Sequence, residues 1–189
     1  MFFSMKFEQI SFGRPNMRGC LTSDIEERAS SVLLELSHHA DAVVLTCSTL
    51  GPAVVAAGRI ASVPILRVDG ALAEKAVKSG GKIVVLCAVE TTLLPTEHIF
   101  AQAARGTSVA VEVRLVPHAW ALFKAGDREG YLSAIAMASH AAYDDGASMV
   151  ALAQASMAGA AELVRNAPEP ISSPTAGLAR ALEHLTPYS

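Results

Sequence analysis

The sequence predicts an α/β fold made of two pseudo-symmetric lobes, each a small parallel sheet flanked by helices. Two observations carry this: strand-like and helix-like segments alternate along the chain, and one half of it can be laid over the other. The composition agrees, because half of the 189 residues are hydrophobic and only 5% aromatic, with Ala and Val prominent, which suits helices packed closely on parallel sheets.

The segments follow in order. MKFEQISF alternates like a strand, and Asp24 to His39 carries apolar residues at helical spacing behind a Thr22/Ser23 cap. DAVVLTC reads as a strand, and Pro52 suits the first turn of the next helix, where its missing N–H costs nothing. VPILRV is a short strand, and DGALAEKAVKSGG is a helix closed by glycines. KIVVLCA, SVAVEVRLV and ASMVALAQ continue as strands, separated by the helix LLPTEHIFAQAARG and by one or two helices between about Ala119 and Tyr143. A helix through Val164, a short strand around PISS and a terminal helix GLARALEHL complete the series.

The internal repeat is visible when residues 40–76 are laid over residues 147–182, starting at an offset of 107, which sets Cys47 opposite Gln154. After a one-residue slip, Pro64-Ile65 falls on Pro170-Ile171 and Leu72-Ala73 on Leu178-Ala179. KIVVLCA and its helix have no counterpart, since they would fall before Met1. The first half is therefore expected to lack its opening strand and helix, with either a partner subunit covering the gap or the true start lying upstream. The expected division is residues 1–67 plus about 165–189 as the first lobe and 68–164 as the second.

Several function classes are excluded by what the chain lacks. A net charge of −3, without basic blocks, supplies no phosphate-neutralising face, so no nucleic acid is expected as partner. No segment reads as a membrane span. Three cysteines without paired spacing, Cys20, Cys47 and Cys87, and no secretory leader suggest a reducing, cytoplasmic setting. The six histidines lack metal-ligand spacing, so no metal is expected. Neither GxSxG nor GxGxxG occurs, which counts against a serine hydrolase or a dinucleotide enzyme. SGGK at 79–82 and Asp144-Asp145-Gly146 read as turns.

Chemistry concentrates at Cys47. Ligands of open parallel sheets sit outside the carboxyl ends of the strands, and both Cys47 and Gln154 fall at such ends. The turn Ser48 to Gly51 offers N–H groups and a helix N-terminus to a carboxylate, a field that also favours thiolate. Cys20 and Cys87 read as ordinary loop and core cysteines.

VVLTCSTLGP, VVLCAVETTLLPT, VALAQASM and PISSP together resemble the aspartate/glutamate/hydantoin racemase superfamily, over nearly the whole chain from about Met5. The resemblance implies two lobes around an active-site cleft, no cofactor, and one cysteine on each side of the substrate's α-carbon. Cys47 matches the first cysteine, while Gln154 stands where the second would be. Glutamine has no titratable proton near neutral pH and serves only for hydrogen bonding. By the same carry-over Thr91 and Thr92 match a carboxylate-binding loop, and Ala155-Ser156 would add donors opposite Ser48-Thr49. The expected activity is proton transfer at the carbon α to a carboxylate of an amino acid or small dicarboxylate, with Cys47 as acid/base. The alternatives are a silent carboxylate-binding relative, or a single-cysteine decarboxylase or cis-trans isomerase. A homodimer is expected to cover the exposed sheet edge.

Overall fold

The computed structural model describes residues 22–185. The strand expected at MKFEQISF, and Cys20, lie outside the described residues. Two parallel sheets are present, each flanked by helices.

The first part opens with α1 (Ser23–Ser37), capped by the Thr22 hydroxyl, which accepts from the Ile25 N–H at 3.4 Å. β1 (Val43–Leu45) follows, then a 3-10 turn at Ser48–Leu50 and α2 (Gly51–Gly58), which has Pro52 in its first turn. β2 (Ile65–Arg67) lies parallel to β1, with Val43 across from Ile65 and Leu45 across from Arg67. Small residues on α2, Ala53 and Ala57, are wholly buried against Val43, Ile65, Ala29 and Leu33. β1 is shorter than the seven-residue expectation because only three of its residues find a partner; Thr46 and Cys47 run on beyond the ladder.

α3 (Val68–Ser79) leads to β3 (Lys82–Cys87) through Gly80 and Gly81, both at positive φ, so the SGGK segment is the expected turn. A 3-10 turn at Glu90–Thr92, α4 (Leu93–Ala103) and β4 (Ala110–Leu115) come next. The helical stretch after β4 is two helices, α5 (Ala119–Lys124) and α6 (Arg128–Asp144), broken at Gly126 and restarted by the Asp127 cap on the Gly130 N–H. β5 (Met149–Leu152) precedes a nine-residue 3-10 helix, Ala155–Leu163, where an ordinary helix was expected. β6 (Ile171–Ser172) passes directly into α7 (Ser173–Leu185). α7 begins four residues earlier than its apolar pattern suggests, because Pro174 sits in the first turn, where it needs no acceptor.

The second sheet has the order β4-β3-β5-β6, all parallel. Both of its faces are covered. Val84, Leu86, Val150 and Leu152 point to α5, α6 and the 3-10 helix after β5; Ile83, Val85, Cys87 and Ala151 point to α3 and α4. Burial on both faces explains why these strands read as unbroken apolar runs.

The repeat is realised in space. β1 pairs with β2 as β5 pairs with β6, each leading strand ends in a 3-10 segment, and each second strand runs into a helix. The two equivalent helices, α3 and α7, pack against each other, and α7 also reaches β1 and β2. β6 itself hydrogen-bonds within the four-stranded sheet, so the chain after residue 165 touches both sheets. Gly177 permits the close helix contact: a β-carbon there would stand 3.1 Å from Val68 Cβ.

Candidate active site

Cys47 lies two residues past the end of β1, in extended conformation with φ −97° and ψ 110°, and opens the 3-10 turn. Its thiol is free and exposed, and its carbonyl accepts from the Leu50 N–H at 3.2 Å. The N–H groups that begin such a turn have no acceptor inside it, so this strand end presents a thiol beside free donors. Thr49 is exposed and Ser48 half-buried on the same turn.

Gln154 occupies the corresponding end of β5, and its amide is committed at both ends. Oε1 accepts from the Ala88 N–H at 2.7 Å, and Nε2 donates to Thr92 Oγ1 at 3.0 Å. The Thr92 hydroxyl in turn donates to the Val89 carbonyl at 2.6 Å. Gln154 thus straps the end of β5 to the loop after β3.

Cys87 sits under this strap, fully buried at the last position of β3, with its thiol donating to Thr96 Oγ1 at 3.6 Å. Burial pushes its pKa up, partly offset by hydrogen bonding from Thr96, Thr92 and Gln154. It is therefore a neutral thiol at physiological pH. Strand patterning could reveal its burial but not its nearness to Gln154, which depends on β3 and β5 being neighbours in the sheet.

The remaining expected residues are divided. Ser156 and Ala155 are exposed at the start of the 3-10 helix after β5. Ser156 Oγ lies 2.8 Å from the hydroxyl of Tyr131, whose pKa burial raises and this contact partly lowers. Thr91 is exposed on the turn after β3. Among the described residues, no side-chain hydrogen bond joins Cys47, Ser48, Thr49 or Thr91 to the Gln154–Thr92 group. Two concavities lie elsewhere. One of about 490 Å³ borders α1 and involves Glu26, Ser30 and Ala56; one of about 440 Å³ lies between α3 and β6 and involves Lys75, Glu162, Ser172 and Thr175. Cys47 and Gln154 line neither.

One charged group at the start of α2 was not anticipated. Arg67, the last residue of β2, donates from Nε and Nη2 to the two carboxylate oxygens of Asp69, at 2.9 and 2.7 Å. Its guanidinium rests on Gly51, the first residue of α2, so closely that a β-carbon there would collide with it. The Arg-x-Asp spacing is the signal in the sequence, but only the pairing of β1 with β2 brings it to the strand end that precedes Cys47.

Among the described residues no group of three or more His, Cys, Asp or Glu gathers as a metal site, and no helix is long and apolar enough to cross a membrane. His118 is exposed, in left-handed conformation at the start of α5.

Comparison with solved structures places the fold. A glutamate racemase isoform from Bacillus anthracis superposes with a TM-score of 0.57 at 18% identity, covering 85% of this chain and 66% of that one. Allantoin racemase from Klebsiella pneumoniae gives 0.63 at 20% identity, over 83% and 66%. Arylmalonate decarboxylase gives 0.61 at 15% identity, over 89% and 80%. The chain thus spans just under two thirds of the length of the first two. No curated protein matches the sequence. The family model described as Asp/Glu/Hydantoin racemase matches residues 21–182. This chain therefore belongs to the Asp/Glu/hydantoin racemase family.

Proposed function

We propose that the protein is a cofactor-independent enzyme that moves a proton at the carbon next to a carboxylate, with Cys47 as its acid/base. The observation that carries this reading is the exposed free thiol at the carboxyl end of β1, opening a 3-10 turn, in a chain of this family. In the forward step the thiolate takes the α-proton, the C–H electrons pass into the carboxylate as an enediolate, and a proton returns to carbon. Ser48, Thr49, Thr91 and Ser156 hold the anion. Gln154 contributes no proton, since an amide does not titrate near neutral pH.

The test is deuterium uptake at the α-carbon of aspartate, glutamate and small 2-substituted dicarboxylates in heavy water. Wild-type protein is expected to exchange at least one of them, and Cys47→Ser to lose about 10² to 10⁴ of the rate. Absence of exchange from the whole set, or exchange unaffected by Cys47→Ser, removes the reading.

A second reading draws support from the strapped amide of Gln154, which leaves one thiol at the two repeated strand ends. In it a malonate-type acid loses carbon dioxide, the bonding pair stays on carbon, and the Cys47 S–H protonates that carbon from one side. Release of carbon dioxide from a 2-substituted malonate, without α-exchange of amino acids, would select it. A silent binding relative would show neither reaction.

A further inference from the structure

We propose that Arg67 recognises the substrate's carboxylate on the Cys47 side of the site. This deepens the reading of Cys47 as acid/base and rests on it. Arg67 stands directly across the ladder from Leu45, two residues before Cys47, and paired strands run about 4.8 Å apart. Side chains alternate along a strand, so Arg67 shares the face of Ile65, which is buried toward α2. The guanidinium consequently lies over Gly51 at the start of α2, four residues after the thiol.

Its orientation is fixed. Asp69 is only 7% exposed and engages Nε and Nη2 with its two oxygens, while its Oδ1 also accepts the Gly70 N–H at 2.8 Å. Nη1 keeps both hydrogens without an acceptor among the described residues. A planar fork held on one edge by Asp69, with N–H groups remaining on the other, suits carboxylate recognition, which an ammonium cannot imitate. The pair with Asp69 holds the guanidinium flat against Gly51, where a β-carbon would displace it. The repeat sharpens the contrast: Ser173, the residue equivalent to Arg67 by the 106-residue offset, is fully buried with its hydroxyl unpartnered. Of these two repeated positions, only the one in the sheet of β1 carries a charge.

The probe is alkylation of Cys47 in the full chain by iodoacetate and by iodoacetamide, followed by mass spectrometry of the Cys47 peptide. Both reagents form the same C–S bond with loss of iodide, and only iodoacetate carries a carboxylate. Relative to N-acetylcysteine, the wild type should favour iodoacetate by about tenfold, the scale of one charge-assisted hydrogen bond. Arg67→Gln should abolish that preference, read as the ratio of the iodoacetate rate to the iodoacetamide rate so that any change in thiolate fraction cancels, and Arg67→Lys should keep only part of it. Gly51→Ala, which displaces the guanidinium and preserves its charge, should lower the preference as well. A preference equal in wild type and Arg67→Gln, or a wild-type value no higher than the reference thiol, overturns the proposal. Failure of α-carbon exchange with the preference intact would instead count against the reaction and leave Arg67 in its role.

Discussion

At the scale of single residues, the two repeated strand ends carry one exposed thiol and one immobilised amide. Cys47 is accessible because β1 stops at Leu45, and the two residues beyond it have no strand partner. Gln154, its counterpart in the repeat, faces groups of the loop after β3. Its role there is mechanical: removing the amide would leave the buried Ala88 N–H without an acceptor. Gln154→Met is expected to lower stability by about 1 to 3 kcal/mol, read from the midpoint of urea unfolding. An unchanged midpoint would mean that the strap carries no strain of consequence. The pattern of the sequence marked position 154 as special but gave no sign that Thr92 and Ala88 would occupy both ends of its side chain, since those partners lie more than sixty residues away.

Among the elements, α3 and α7 matter most. They are equivalents in the repeat, they follow equivalent strands, and they meet along their lengths. Gly177 sets their separation, because a β-carbon would come within 3.2 Å of the Val68 backbone. Gly177→Ala is expected to destabilise the protein by about 1 to 3 kcal/mol through overpacking, and Val68→Ala should recover part of the loss when combined with it. Additive effects of the two changes in thermal unfolding would show that the contact is not shared. The edge strand β4 is protected differently. Glu112, Arg114, Lys82 and Asp145 form a chain of ion pairs along it, and the Arg114 guanidinium holds the Glu112 carboxyl down at about 2. Charges on an open edge discourage pairing with a second chain.

For the whole molecule, the helices shared between the sheets predict a single unfolding unit. α7 contacts β1, β2 and β6, and α3 contacts β2 and β5, so neither sheet can lose its cover alone. The only tryptophan, Trp120, lies on α5 beside the four-stranded sheet, whereas far-ultraviolet circular dichroism reports both sheets and their helices. The two signals are expected to share one midpoint on heating. A tryptophan transition displaced from the dichroism would show that the sheets unfold separately.

By itself, the sequence determined the alternation of elements, the parallel sheets and the equivalence of Cys47 with Gln154, because periodicity and repetition are local properties of a chain. It also indicated the family, through VVLTCSTLGP and the segments that accompany it. Tertiary structure decided what surrounds those positions. The seat of Arg67 on Gly51, the strap from Gln154 to Thr92, the neutral thiol of Cys87 beneath it and the contact of Ser156 with Tyr131 all join residues from different segments. Such contacts follow from which strands lie side by side, and strand order is set by long-range packing that no single stretch of sequence encodes.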